Sequence, residues 1–227
     1  GGVRARRGDL AGYSIGHDKM RAKQTTVADL EPSRVAVVLI DFQNTFCHPD
    51  SSIREGVVSN RETALRANDF AAAAAHLGAS VVYTQQILDV ATLAPRQRQW
   101  ARTEDLCRKG TWGAELFLPP IPDATVVTKH RYDIWQSAEF LRFVEATNPD
   151  GFVFAGVELC CCVLYGVLGA DERGFQYSVP MSLVSGIDPG AKTYNRAVRE
   201  FLTLIHEAPE EADGILEAWR DSQPSAG

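Results

Sequence analysis

The stretch RVAVVLID (34–41) constrains this chain more than any other: it is short, Val-rich and almost continuously apolar. A strand with one solvated face would alternate polar and apolar residues, so this run reads as a strand buried on both faces. Similar runs follow as SVVYTQQ (80–86), ATVVTK (124–129) and GFVFAGV (151–157). QYSVPMSLVS (176–185) is a fifth, which Pro180 demotes towards a sheet edge or a bulge. Helix-forming segments lie between them: NRETALRANDFAAAAAHLG (60–78) ending on Gly78, SAEFLRFVEAT (137–147), and CCVLYGVLGADERG (161–174) ending on Gly174. The tail from Asp188 is mostly helical. Strands alternating with helices predict an α/β domain with a mostly parallel sheet and helices on both faces.

Residues 1–32 read as a partly ordered N-terminal arm, and 33–227 as a single domain without repeats or a low-complexity linker. At 227 residues, 45% hydrophobic and 23% charged, the chain can bury a sizeable core. Its formal charge of −6 argues against nucleic acid or an anionic membrane as partner, and the basic run Arg4 to Arg7 is too short to reverse that. No apolar run approaches the roughly 20 residues of a membrane span. The first 25 residues lack the pattern of a signal peptide. Five cysteines without framework spacing suggest a reducing compartment, so the cytoplasm is the expected location.

In open parallel sheets, ligands bind beyond the carboxyl ends of the strands. The first strand ends at Asp41, the second at Gln85 and Gln86, the third at Lys129, and the fourth feeds a helix that begins with Cys160, Cys161 and Cys162. An acid, a lysine and a thiol therefore share one rim. A helix N-terminus and a nearby Lys favour a thiolate, a carboxylate can shuttle the thiol proton, and backbone N–H groups at a helix start can hold an oxyanion. Together they describe acyl transfer through a thioester. Each residue also has a plainer role: Asp41 as a turn cap, Lys129 as a solvated strand end, the cysteines as buried apolar side chains. His130 points away from Lys129 along an extended strand and is expected to be structural or superficial. On a helix the three thiols point about 100° apart, so at most one faces a given pocket. Adjacent cysteines also lack the C-x-x-C spacing that wraps zinc. Cys47 and Cys107 are expected in loops, with structural roles.

The segments VVLIDFQNTFC (37–47), VVYTQQ (81–86), VVTKHRYDIW (126–135) and FAGVELCCCVLYGVLGADERGFQ (154–176) resemble the isochorismatase-like cysteine hydrolases. These include nicotinamidases, N-carbamoylsarcosine amidohydrolase and ureidoacrylate hydrolases. The resemblance covers about residues 33–205 in the right order and implies a Rossmann-like three-layer sandwich. It implies Asp41 as acid/base, Lys129 as catalytic lysine and, six residues on from Gly156, Cys162 as nucleophile. It further implies a cis peptide between Val157 and Glu158, and an oxyanion hole from the N–H groups of Cys161 and Cys162. Gln43, Phe46, Gln85, Arg131, Tyr132, Trp135 and Glu158 are the substrate-binding candidates that go with it. QQILDVATL (85–93) lacks the histidine of a nicotinamidase metal site, so no metal and no cofactor are expected. The implied activity is cleavage of a small amide, ureido or carbamoyl compound. The alternatives are vinyl-ether hydrolysis with Asp41 as general acid, or a non-catalytic binding relative. A homo-oligomer, dimer or tetramer, is the assembly that the resemblance implies.

Overall fold

A computed structural model describes residues 25–53, 57–91, 93, 95, 98, 106–185, 191–205 and 210–223. The basic run at Arg4 to Arg7 and most of the N-terminal arm lie outside the described residues. The strands are β1 (Val35–Ile40), β2 (Ser80–Gln86), β3 (Thr125–Lys129), β4 (Gly151–Val157), β5 (Gln176–Ser178) and β6 (Val184–Ser185). They form one sheet in the order β3-β2-β1-β4-β5, with β6 beside the end of β4, and every strand pairing is parallel. The fifth apolar run does lie at the sheet edge, as Pro180 implies, and it is also broken in two: β5 stops at Ser178, a 3-10 turn spans Met181–Leu183, and β6 resumes on β4.

All six residues of β1 and all seven of β4 are buried, because helices cover both faces. On one side Val35, Val37 and Leu39 pack with α2 (Val57–His76) and α6 (Ala212–Ser222), whose Trp219 is wholly enclosed. The alanines at 64, 67, 71 and 74 form the buried stripe of α2, which brings its backbone close to the sheet. On the other side Ala36, Val38 and Ile40 join Phe140 and Phe143 of α3 (Ala138–Thr147) and Val167 of α4 (Leu164–Asp171). Leu202 of α5 (Ala191–Ile205) completes that layer. The remaining helix, α1 (Asn44–Cys47), is a single turn at the end of β1. Cys47 thus closes a helical turn rather than lying in a loop, and it is fully buried.

Burying each face of a strand contributes about 25 cal/mol per Å² of apolar area removed from water, which explains the lack of polar residues in β1 and β4. Topology then fixes the site. β1 lies where the chain's direction of winding reverses, between β2 and β4, so the carboxyl ends of β1, β2 and β4 adjoin a crevice.

Candidate active site

Asp41 follows the last residue of β1 and takes φ 55°, a region that residues with a Cβ seldom occupy. Its neighbours hold it there. The Asp41 N–H donates to Thr84 Oγ1 (3.1 Å), and the same hydroxyl donates to Asp41 Oδ1 (2.6 Å). The Asp41 carbonyl accepts from the Gln43 N–H at 2.7 Å. Strain of this kind persists only where surroundings over-determine it.

Lys129 ends β3, two strands from β1, and its stem runs through the interior to bring Nζ to the acid. The side chain is 1% exposed and that of Asp41 is 0% exposed, with Nζ 2.6 Å from Oδ2. Nζ also donates to Gln86 Oε1 (2.6 Å), the Arg131 carbonyl (3.1 Å) and Cys162 Sγ (3.3 Å). Oδ2 holds the ammonium in a close ion pair. Burial by itself would drive the lysine neutral, but the Asp41 carboxylate, joined by the Cys162 sulfur whenever that is a thiolate, outweighs it and raises its pKa. The cation is therefore kept.

Cys162 is 7% exposed. Burial first, and then the Asp41 carboxylate, push its thiol well above the ordinary range, and Lys129 only partly opposes them. The lowered thiol pKa expected from the sequence is thus reversed. Lysine and helix start do favour a thiolate, but enclosure beside a carboxylate outweighs both. The resting site is a protonated thiol against a Lys129–Asp41 ion pair.

The backbone entering this turn is unusual. Gly156 has φ 143°, and the peptide between Val157 and Glu158 is cis. The residues Leu159–Val163 then form a π-helical turn rather than regular α-helix. The Glu158 carbonyl accepts from the N–H groups of Cys161 (3.0 Å) and Val163 (3.2 Å). Within this wider turn Cys162 alone of the three thiols meets Lys129, while Cys160 and Cys161 are half-buried. Burial, together with Cys160 and Glu158, pushes the Cys161 thiol up to about 12.

The other candidates divide. Tyr132 stands at the site, 41% exposed, its hydroxyl pushed up to about 12 by burial and by the adjacent Cys161, Cys162 and Glu158. Its ring lies 6.0 Å from that of Tyr165, which is also exposed. Glu158 is half-buried beside Cys160. Arg131 contributes its carbonyl to Lys129, and its guanidinium donates to the His130 carbonyl at 2.8 Å. Gln43 is fully enclosed and staples backbone: Nε2 donates to the carbonyls of Gln86 (3.0 Å) and Ala114 (2.7 Å), and Oε1 accepts from the Gln86 N–H (2.9 Å). Gln85 shares the Ala114 carbonyl at 3.1 Å. Phe46 packs against the α2 side of the core.

Trp135, expected near the pocket, is a core residue. It is 4% exposed, packs with Phe140, Phe152 and Phe175, and donates from Nε1 to the Gly166 carbonyl at 2.8 Å. Gly169 provides room for it, since a Cβ there would lie 2.0 Å from the indole. His130 is exposed, with Nδ1 2.8 Å from the Ile87 carbonyl, so it takes a surface role.

Sequence reasoning misses Thr84, and it names Gln86 only as a strand end, without its contact with Lys129. Strand alternation puts them on one face of β2, and the pairings Ile40↔Thr84 and Gln86↔Lys129 set them between the acid and the lysine. The period-2 signal was available, but the register that makes it meaningful is tertiary. Thr84→Val is expected to lower stability by about 1–3 kcal/mol, because it strands the Asp41 N–H and Oδ1 in the interior. Urea denaturation measures this.

The segment 85–93 itself carries no histidine, and its acid, Asp89, is held by Lys109 at 3.1 Å and by the Ala91 N–H.

Comparison with known proteins matches residues 35–203 to the isochorismatase domain family. A search of curated proteins returned no match. Among solved structures, the chain is similar to a cysteine hydrolase from Pseudomonas syringae pv. phaseolicola 1448A, with 16% identity over 86% of this chain and 96% of that one (TM-score 0.74). An isochorismatase family protein from Desulfovibrio vulgaris subsp. vulgaris str. Hildenborough is 19% identical over 82% of this chain and 98% of its own (TM-score 0.70). N-carbamoylsarcosine amidase from Thermoplasma acidophilum is 22% identical over 79% and 97% (TM-score 0.64). At these identities the structures speak for a shared fold, and the family match, which spans most of the chain, goes further. With that span and this fold, the chain belongs to the isochorismatase domain family.

Proposed function

We propose that the protein is a cysteine-dependent amidohydrolase that cleaves the C–N bond of a small amide, ureido or carbamoyl compound through a thioester. The observation that carries this is the position of Lys129 Nζ, 2.6 Å from Asp41 Oδ2 and 3.3 Å from Cys162 Sγ in a closed interior. It gives the acid and the thiol one shared, permanent cation.

As Cys162 Sγ attacks the substrate carbonyl, the thiol proton passes to Asp41 and the S–C bond forms. Because the resting thiol holds its proton, transfer accompanies attack rather than preceding it. Lys129 remains charged and offsets the negative charge wherever it sits. The oxyanion is received by the N–H groups of Cys162 and Cys161, the latter exchanging the Glu158 carbonyl for the substrate oxygen. Asp41 returns the proton to the leaving nitrogen, and the C–N bond breaks. Water, deprotonated by Asp41, then resolves the thioester and restores the thiol. Tyr132, Glu158 and Arg131 are the proposed substrate contacts. N-carbamoylsarcosine amidase among the similar structures supports this substrate class. A cytoplasmic homo-oligomer, dimer or tetramer, is the proposed working form.

An ammonia-release screen over small amides, ureas and carbamoyl acids tests the activity. Cys162→Ser is expected to lower kcat by about 10³-fold or more, whereas Cys160→Ser retains turnover. Equal activity in the two variants would overturn the nucleophile. Full activity of Cys162→Ser on a vinyl ether would instead make Asp41 a general acid and the thiol dispensable.

A further inference from the structure

We propose that Glu158, Cys160 and Cys161 form a binding site for one thiophilic divalent ion of the zinc class, beside Cys162 and without its sulfur as a ligand. Among the described residues, this is the one group of three His, Cys, Asp or Glu side chains whose ligand atoms all lie within 4.8 Å of one another.

The spacing suits tetrahedral coordination. Two thiolates about 2.3 Å from a common zinc, at the tetrahedral angle, are separated by roughly 3.8 Å. Cys160 Sγ and Cys161 Sγ are 3.9 Å apart, and Cys160 Sγ is also 3.9 Å from Glu158 Oε2. The sulfur–sulfur edge matches as it stands, and the sulfur–oxygen edge exceeds the roughly 3.5 Å of a tetrahedral Zn–S/Zn–O pair by a few tenths of an ångström. The third edge lies within 4.8 Å, so a small rotation of the Glu158 side chain completes the site. Three protein ligands leave a fourth position for water or another small ligand. Adjacent cysteines lack a zinc-wrapping spacing in sequence. What assembles the site is the π-helical turn, which sets the two thiols side by side, and the residue before that turn, which supplies the carboxylate. All three residues are half-buried, so an ion can reach them from solvent while water is partly excluded. Cys162 takes no part, because its sulfur is directed to Lys129.

Binding replaces the two thiol protons, which leave to solvent, so the affinity rises with pH up to the metal's own hydrolysis. The probe is Co²⁺, added to the reduced full chain, with Zn²⁺ as competitor. The expected result is one Co²⁺ per chain, thiolate-to-cobalt charge-transfer absorption with the visible bands of a tetrahedral ion, release of two protons, and bleaching by Zn²⁺. Cys160→Ser and Cys161→Ser should each abolish the charge-transfer signature of the pair or weaken binding by tenfold or more. Glu158→Gln, which leaves both thiols in place, should weaken binding while keeping that signature, and circular dichroism confirms that each variant is folded. Cys162→Ser should retain stoichiometry and spectrum even though it removes the proposed nucleophile, so the two proposals fail separately. Undiminished binding in a folded Cys160→Ser/Cys161→Ser variant, or loss of binding in folded Cys162→Ser, would overturn the site.

Discussion

Lys129→Met is expected to destabilise the fold by about 3–5 kcal/mol and to abolish turnover, the largest combined effect of any single side-chain change considered. The reason is the partner left behind. Asp41 is wholly buried, and without the ammonium its carboxylate would be an uncompensated charge in the interior. Denaturant titration gives the stability loss. The double variant Lys129→Met/Asp41→Leu distinguishes electrostatics from packing: with both charges gone it should recover most of the lost stability and none of the activity. Recovery of neither would mean that the lysine acts mainly as a packed stem.

The same pair predicts an alkaline limit. The folded lysine has a pKa raised above its ordinary 10.5, so its stabilising contribution is complete below 10.5 and is lost as pH rises through the higher folded value. The wild type should therefore lose stability relative to the double variant only above that ordinary value. A difference that already declines near neutral pH would contradict the charged pair.

Gly156→Ala is expected to cost roughly 3–5 kcal/mol and to impair catalysis at a position with no side chain to lose. Its φ of 143° is strained for any L side chain, and an added Cβ would lie 2.4 Å from the Ile40 carbonyl oxygen and 2.8 Å from the Ile40 nitrogen. Both are backbone atoms of β1, so relief requires β1 to move, and Asp41 is the next residue. Gly174→Ala is the comparison. There φ is 75° but nothing lies within 4 Å of the added carbon, so only the backbone preference is lost, about 1 kcal/mol. Urea midpoints and ammonia release read both variants, and equal effects at the two glycines would refute close strand approach as the cause.

The similar structures share the fold at low identity, which is the usual fate of a sheet whose burial demands only apolar residues of about the right size. This chain adds the Tyr132–Tyr165 pair, Tyr165 coming from the first turn of α4, and the thiols of Cys160 and Cys161, none of which the sheet requires.

How far the residues alone lead is seen at particular positions. Val35 to Ile40 without a polar side chain means burial on both faces, and hence a parallel sheet, before any coordinates. Pro180 marks the break between β5 and β6 because it cannot donate to a ladder. Asp41 and Lys129 are legible as candidates because short apolar runs end on them and a winding sheet gathers strand ends at one rim, whereas Cys162 is singled out from Cys160 and Cys161 only by the family resemblance. Thr84 and Gln86 are not legible as site residues: their role depends on which residue of β3 and β1 stands opposite, and local composition does not encode register. Trp135 misleads for a related reason. Proximity to Lys129 along the chain suggests the pocket, whereas the notch at Gly169, 34 residues on, draws its ring into the core. The protonation of Cys162 is a tertiary property too, since a thiol's pKa depends on how completely water is removed and which charges remain. Periodicity and turn chemistry are local and survive in the sequence, while enclosure, register and charge balance arise only once distant segments meet.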